Sequence, residues 1–175
     1  MGNLCICKRK IIKNNLWGMC AGKTTILYKN ILKRHDFKSI PTVGFDFETT
    51  KIGNKKVTFV DFGGGFKIYE LRENFINETT DGIIYVIDSS WLDVDIYCQN
   101  EFKLVMNLEV TKNIPVAIFF HKQDIIKEGR PTVEEIKKYY HFDEIPDINY
   151  KIFETSSITG QGINEGINWL LNNIK

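Results

Sequence analysis

Gly22-Lys23-Thr24-Thr25 stands at the start of a predicted helix and has the composition of the back half of a phosphate-binding loop. Glycine lets backbone N–H groups turn inward toward an anion, the lysine ammonium reaches the outer phosphates, and the threonine hydroxyl is a ligand for Mg²⁺. A Gly-Lys-Thr triplet alone is common by chance. Three later segments, each at or near the end of a predicted strand, follow it in the order that a nucleotide site requires: Asp61-Phe62-Gly63-Gly64, Lys122-Gln123-Asp124 and Thr155-Ser156-Ser157.

The composition indicates one folded domain. The chain has 175 residues, of which 43% are apolar and 26% charged, and this is enough to bury a proper core. A net charge of +1 argues against a nucleic-acid binder. The four cysteines lack metal-finger spacing and no secretory signal is present, so we expect reduced thiols in the cytosol. No apolar run reaches the roughly 18 residues of a membrane span, and the early basic residues exclude a signal peptide without excluding membrane attachment.

Apolar runs alternate with amphipathic stretches along the chain, which predicts an α/β doubly wound domain with helices on both faces of a mostly parallel sheet. Short runs rich in β-branched and aromatic residues predict strands at 57–62, 82–88, 115–120 and 150–155. The turn-forming segment 53–56 joins 45–52 to 57–62 as an antiparallel hairpin at the sheet edge. By contrast, Asn14 and Asn15 make residues 8–17 a poor first strand, since a central strand is normally apolar.

Helices are predicted after Gly22, over 95–111, over 133–140 and at the C-terminus. Thr132, preceded by Pro131 and followed by Glu135, forms a capping box for the third of these. The last helix carries an apolar stripe at three- and four-residue steps, made by Ile163, Ile167, Leu170, Leu171 and Ile174.

The phosphate and metal contacts are expected beyond the carboxyl ends of the strands, where ligands bind in sheets of this type. Asp61 would hold Mg²⁺ through water, and the Gly64 N–H could bond the γ-phosphate. Thr42 lies in a loop that would bring its hydroxyl and carbonyl to the metal only with a triphosphate bound.

The base contacts point to guanine. Asp124 would accept hydrogen bonds from guanine N1–H and the exocyclic amine, donors that adenine lacks at those positions. The stem of Lys122 would pack on the ring. Backbone N–H groups around Ser156 and Ser157 would cover the guanine carbonyl oxygen.

Several segments resemble the ADP-ribosylation factor and ADP-ribosylation-factor-like (Arf and Arf-like) small GTPases. They are Met1-Gly2-Asn3-Leu4, Ala21-Gly22-Lys23-Thr24-Thr25-Ile26-Leu27, Ile40-Pro41-Thr42-Val43-Gly44-Phe45, Asp61-Phe62-Gly63-Gly64, Lys122-Gln123-Asp124, and Gly162 with Glu165-Gly166-Ile167-Asn168-Trp169-Leu170. The likeness covers nearly the whole chain. It implies a P-loop NTPase fold with a six-stranded sheet and one antiparallel edge strand, GTP, GDP and Mg²⁺ as ligands, and a GTP-binding switch in vesicle traffic and protein transport.

The resemblance also implies site residues and partners. Nucleotide would be bound by Gly18, Ala21, Gly22, Lys23, Thr24, Thr25, Thr42, Gly64, His121, Lys122, Asp124, Ser156 and Ser157, and metal by Thr24, Thr42 and Asp61. Effectors would dock on Phe45, Val60 and Phe75, although all three could equally be core residues and Val60 replaces the usual tryptophan. An exchange factor and an activating protein are further expected partners of a monomer.

Three departures from the family affect the chemistry. Counting back from Lys23 places Trp17 at the first loop glycine; alternatively Gly18 is that glycine and the loop is one residue short. Gly65 replaces the glutamine that orients the attacking water, so no catalytic residue is assigned and slow hydrolysis is expected. His121 replaces an asparagine; a lost buried hydrogen bond would cost about 1–3 kcal/mol, although a satisfied core imidazole is the alternative interpretation.

The N-terminus predicts reversible membrane attachment. Residues 1–13 are interpreted as a lipid-anchor and basic segment, and 14–175 as the GTPase domain. Gly2 fits N-myristoylation, although Ile6 lacks the preferred hydroxyl. Because one acyl chain binds weakly, basic residues or acylation of Cys5 or Cys7 would supply a second signal. The expected location is cytoplasmic, with reversible association with the Golgi or another endomembrane.

Two functional classes therefore follow from the sequence. The first is a slowly hydrolysing GTP switch, favoured because the metal, phosphate and guanine contacts mostly survive. The second is a pseudo-GTPase scaffold with weak or no nucleotide binding, favoured by Trp17, Gly65 and His121.

Overall fold

A computed structural model describes residues 11–17 (backbone), 21–34, 36, 44–62, 75–90, 96–125 and 128–175. Its strands are β1 (Ile11–Trp17), β2 (Phe45–Ile52), β3 (Lys55–Phe62), β4 (Gly82–Asp88), β5 (Val116–His121) and β6 (Tyr150–Glu154). They form a six-stranded sheet in the order β2-β3-β1-β4-β5-β6. Only the edge pair β2–β3 is antiparallel, as the sequence predicted.

The described residues form four helical regions, three between strands and one after the last strand. They are α1 (Lys23–Thr25), which continues as a π-helix over Ile26–Ile31; α2 (Ile96–Asn107), followed by a 3-10 turn over Glu109–Asn113; α3 (Val133–Tyr139), followed by a 3-10 turn over Phe142–Glu144; and α4 (Ile163–Asn173). The predicted capping box of α3 is present, with Thr132 and Glu135 each bonding the other's backbone N–H. The second helix is shorter than predicted because Leu108 has an extended backbone, with φ −61° and ψ 139°. Within the described part of the chain, no helix is both long and apolar enough to cross a membrane.

The core lies on both faces of the sheet because alternate residues of each strand point in opposite directions. In β4, Ile83, Tyr85 and Ile87 pack beneath α2 and α3. Ile84 and Val86 pack on the other face, beneath α1, the π-helix and α4. The apolar stripe predicted for the last helix lies in this second cluster, with Ile174 partly buried just beyond the helix end.

β1 lies at the centre of the sheet, between β3 and β4. The expectation that residues 8–17 would make a poor strand was wrong for residues 11–17, and residues 8–10 lie outside the described residues. Asn14 pairs in register with Phe59 of β3 and with Gly82 of β4, so backbone hydrogen bonding on both sides decides the conformation despite the two asparagines. β1 begins at Ile11, inside the segment assigned from the sequence to residues 1–13.

The β2–β3 hairpin is tied to the helices on one side of the sheet. Tyr28 Oη donates to Asp46 Oδ2 at 2.5 Å, and the Arg34 guanidinium bonds both carboxylate oxygens of Glu48 at 2.8 and 3.1 Å. At the other end of the hairpin, Lys55 Nζ donates to the carbonyl oxygen of Leu171 in α4. These contacts fix the edge hairpin against the body of the domain.

Candidate nucleotide-binding site

The phosphate-loop segment ends at Gly22, directly before α1. Gly22 has φ 90° and ψ 19°, a left-handed conformation that a side chain would disfavour. Lys23 and Thr24 follow at the start of the helix, and Lys23 is only 5% exposed. A lysine is rarely buried unless its charge is compensated, so this position is suited to a charged ligand or partner. Gly18 lies outside the described residues.

Trp17 is the last residue of β1 and is paired in register with Tyr85. Its backbone therefore belongs to the strand and not to the turn that follows. This favours the second interpretation of the loop, in which Gly18 and not Trp17 takes the place of the first glycine.

The two predicted metal-binding residues of the described chain meet directly. Thr24 Oγ1 donates to Asp61 Oδ2 at 2.6 Å, and Asp61 is fully buried near the carboxyl end of β3. A hydroxyl and a carboxylate are the hard oxygen ligands that Mg²⁺ prefers, so the pair fits the ion. The described residues contain no group of three His, Cys, Asp or Glu side chains able to hold a metal, so water and phosphate oxygens would have to complete the coordination. Thr42, the third predicted ligand, lies outside the described residues.

Asp124, the carboxylate predicted to bind the base, is held in place by a neighbouring loop. Ser156 Oγ donates to Asp124 Oδ1 at 2.5 Å and accepts the backbone N–H groups of Ile158 and Thr159 at 3.1 and 3.2 Å. Ser156 is fully buried. Two segments that the sequence assigned to the same base thus lie in contact, and the Ser156 hydroxyl orients the Asp124 carboxylate from one side.

Lys122 makes an ion pair that the sequence analysis missed. Lys122 has a left-handed backbone with φ 65°, and its Nζ lies 2.5 Å from Asp88 Oδ2. Asp88 Oδ1 also accepts from the N–H and hydroxyl of Ser90. Burial raises the pKa of Asp88, but the hydrogen bonds from Lys122 and Ser90 outweigh it and hold the pKa below its usual value. The available signal was a polar residue closing an otherwise apolar strand at the ligand end of the sheet.

A second missed residue, Arg130, braces the base-binding segment from outside. Its guanidinium donates to the carbonyl oxygen of Gln123 at 3.0 Å and to Ser89 Oγ at 3.1 Å. The side chain of Gln123 donates to the same Ser89 hydroxyl at 2.9 Å. No motif marks Arg130 in the sequence, because its role depends on how a loop returns to the end of β5.

His121 is enclosed between three parts of the site. Its Nδ1 lies 2.9 Å from Thr155 Oγ1 and its Nε2 lies 3.2 Å from Ser157 Oγ, and the residue is 1% exposed. A Cβ placed on Gly22 would lie 3.2 Å from His121 Cδ2, so the ring packs against the phosphate loop. Burial lowers the pKa of His121 to about 4; Asp124 opposes and Lys122 adds to this effect. The imidazole is neutral near pH 7, and both of its nitrogens are hydrogen-bonded. The geometry thus agrees with the alternative interpretation of His121, a satisfied core imidazole.

The predicted effector residues lie at the β2–β3 edge. Phe45 is 45% exposed, and its ring centroid is 4.5 Å from that of partly buried Phe75. Val60 is a core residue at 4% exposure, whereas Phe47, which the sequence analysis did not single out, is 54% exposed. Other predicted residues lie outside the described chain: Gly2, Cys5, Cys7, Gly64 and Gly65.

Comparison with known proteins matches this arrangement to one family. The ADP-ribosylation factor family model matches residues 7–174. ADP-ribosylation factor-like protein 2 of Dictyostelium discoideum is 34% identical over 155 residues, which cover 88% of this chain and 82% of that protein. ADP-ribosylation factor 1 of Brassica rapa subsp. pekinensis is also 34% identical over 155 residues, with 89% and 83% coverage.

A solved structure supports the same conclusion. The Arl6 BBS3 small GTPase from Trypanosoma brucei, with the bound nucleotide analogue GppNp, is 25% identical with a TM-score of 0.78, and the match covers 93% of this chain and 96% of that one. Family, relatives and fold agree with the Gly22–Thr24 loop, the buried Asp61 and the Asp124 segment at the carboxyl ends of the strands. The chain belongs to the ADP-ribosylation factor family of small GTPases and is a GTP-binding switch.

Proposed function

We propose that this GTP-binding switch is magnesium-dependent, hydrolyses GTP slowly, and recruits effectors to an endomembrane in vesicle traffic. The observation that carries the proposal is the hydrogen bond of 2.6 Å between Thr24 Oγ1 and Asp61 Oδ2. It joins the phosphate-loop helix to the strand end that precedes Gly63-Gly64, so a change at the phosphates can be transmitted to the segment after β3.

Different residues of the chain bind the phosphates, the base and the metal. Lys23 and the backbone N–H groups around Gly22 bind the phosphates, with Gly18, Ala21 and Thr25 completing the loop. Asp124, oriented by Ser156, accepts the guanine N1–H and amine, while the Ser157 backbone faces the carbonyl oxygen. Thr24 and Asp61, with Thr42 from the following loop, would hold Mg²⁺, which neutralises phosphate charge when bound.

The rate of hydrolysis is set by the residue after Gly63-Gly64. Gly65 has no side chain with which to orient a water molecule for attack on the γ-phosphate. We therefore propose a long-lived GTP state, ended mainly by an activating protein that supplies the missing group and restarted by an exchange factor.

Membrane attachment would place the switch where it acts. Gly2 would carry a myristoyl group, and the basic residues at positions 8–10 or acylation of Cys5 or Cys7 would supply the second signal. Phe45, Phe47 and Phe75 expose aromatic surface at the hairpin edge, which would serve a monomer as its effector site.

Nucleotide binding tests the proposal. Purified protein should bind fluorescent GDP and GTP saturably, guanine nucleotides but not ATP should compete, and chelation of Mg²⁺ should accelerate release. Thr24→Ala should reproduce the effect of chelation, whereas Thr111→Ala, which removes a buried hydroxyl bonded to Val105 far from the site, should not. Absence of guanine-selective binding by the wild type would leave only the scaffold function.

Single-turnover hydrolysis tests the role of Gly65. Gly65→Gln should raise the intrinsic rate by at least about tenfold, because the amide can orient water in the transition state. The rate is measured as phosphate release from preloaded GTP, with GDP affinity as the control for intact binding. An unchanged rate with intact affinity would contradict the proposed cause of slow turnover.

A further inference from the structure

His121 lies at a junction of three parts of the candidate site. Its ring contacts Gly22 of the phosphate loop on one side, and its two nitrogens bond the hydroxyls of Thr155 and Ser157 on the other. Each hydroxyl can either donate or accept, so either neutral tautomer satisfies both bonds. One side chain thus joins the phosphate loop, the end of β5 and the loop after β6.

The Ser157 bond is the more informative of the two. Thr155 is already fixed by its backbone, since its N–H donates to Phe120 and its carbonyl accepts from Gln123. Ser157 lies one residue beyond Ser156, the residue that orients Asp124. Asn30 Nδ2 also donates to the carbonyl oxygen of Ser157 at 3.3 Å, a distance close to that of the His121 bond. His121 therefore restrains the hydroxyl of Ser157, while Asn30 restrains its carbonyl oxygen.

We propose that His121 and Ser157 form a pair of positioning residues that hold the Ser156–Ser157 backbone against the guanine base and in register with the phosphate loop. The inference rests on the proposed guanine-nucleotide site. Asparagine, which the family carries in place of His121, has a shorter side chain, so we infer that the Ser157 hydroxyl acts only together with the imidazole. The pair slows nucleotide release because the loop must move away from the base before the nucleotide can leave.

The charged groups facing the ring make the pair sensitive to acid. Asp88 and Asp124 favour a protonated imidazole, whereas Lys122 and burial disfavour it. A protonated ring cannot accept a hydrogen bond, so one hydroxyl must reverse its bond and the ring carries a buried charge. Acid should therefore loosen the loop in the wild-type protein.

The test is a double-mutant cycle on the dissociation rate of fluorescent GDP in excess Mg²⁺. Ser157→Ala should accelerate release about five- to tenfold in the wild-type background, the change expected for loss of one buried hydrogen bond. In the His121→Asn background the same substitution should change the rate by less than about twofold, because the partner is absent. Thr111→Ala is the matched control: it should lower the midpoint of denaturant unfolding without changing release.

A second measurement needs only wild type and His121→Asn. As pH falls from 7 to 5, the release rate of wild type divided by that of His121→Asn should rise several-fold, because only the wild type carries the titrating ring. Three results would refute the pairing while leaving guanine binding intact. They are equal effects of Ser157→Ala in both backgrounds, a GDP release rate of Ser157→Ala within twofold of wild type, and a ratio of wild-type to His121→Asn release rates that does not change across this pH range. Failure of the wild type to bind GDP would instead refute the proposed function on which the pairing rests.

Discussion

At the scale of single residues, we propose that the Asp124 carboxylate determines which base the site accepts. Ser156 Oγ donates to one carboxylate oxygen of Asp124 at 2.5 Å, and in the proposed site the carboxylate accepts hydrogen bonds from the base. Guanine offers two adjacent donors in the same plane, so a carboxylate matches it and an amide does not. The preference is thus a property of hydrogen-bond polarity at one position.

Asp124→Asn should reverse that preference. The amide offers one acceptor and one donor, which match the N1–H and C2 carbonyl of xanthine, so GDP affinity should fall by at least about a hundredfold and xanthosine diphosphate should bind more tightly than GDP. Competition against fluorescent nucleotide measures both. Asp147→Asn, in a loop away from the site, is the control. Retained GDP affinity in Asp124→Asn would show that another residue reads the base.

His121 should make stability depend on pH in the acid range. Its folded pKa of about 4 lies below the ordinary value of 6.5, so the unfolded chain binds a proton first as pH falls. The contribution of His121 to the free energy of unfolding is fully present above pH 6.5 and is lost as pH decreases toward 4. The loss amounts to about 2 kcal/mol between pH 7 and pH 5. Denaturant unfolding of wild type and His121→Asn should show this difference. Replacing the exposed His141 by Asn should leave the wild-type pH dependence of unfolding in place. If His121→Asn lost as much stability between pH 7 and pH 5 as the wild type does, the pH dependence could not be assigned to His121.

At the scale of elements, the described part of the sheet was largely predictable from the sequence. The apolar run over Gly82–Asp88 and the turn at Gly53-Asn54 predicted their strand and hairpin, because continuous apolar runs and turn chemistry are local signals. β1 was misjudged because its place was fixed by strands far along the chain. A helix after Gly22 was predicted, but its continuation as a π-helix over Ile26–Ile31 was not.

The packing of α4 on β5 gives an element-level prediction. A Cβ on Gly166 would lie 2.3 Å from Phe119 Cε1, and Phe119 is fully buried. Gly166→Ala should therefore destabilise the domain by about 1–3 kcal/mol through overpacking, although alanine is the better helix former. Urea unfolding measures the change. Asn168→Ala, on the exposed side of the same helix, should be neutral or stabilising; a stable Gly166→Ala would mean that α4 can shift away from the sheet.

At the scale of the whole molecule, the sheet gathers the candidate site at one end. Thr24, Asp61 and Asp124 come from distant parts of the sequence and were predictable because each belongs to a motif. Asp88 and Arg130 were not, since each works through a partner that only the topology brings near. His121 was identified, but its two hydroxyl partners could not be, because the distances depend on how β5 and β6 align.

Membrane attachment is the prediction that concerns the whole protein in the cell. Gly2→Ala removes the acceptor of the myristoyl group, so most of the protein should move from the membrane fraction to the soluble fraction. Fractionation of cells expressing the full chain measures this. Asn3→Ala, which keeps the glycine, is the matched control. Unaltered partitioning of Gly2→Ala would eliminate the lipid anchor.

The central place of β1 also sets an order of events during biosynthesis. Ile11–Trp17 is the first strand to be translated, and its neighbours are Lys55–Phe62 and Gly82–Asp88. One of its edges therefore lacks a partner until Phe62 has emerged, and the other until Asp88 has emerged. Unpaired strand edges promote aggregation. Nascent chains arrested before Asp88 should therefore depend on chaperones, whereas chains that have emerged through β4 can close the middle of the sheet unaided.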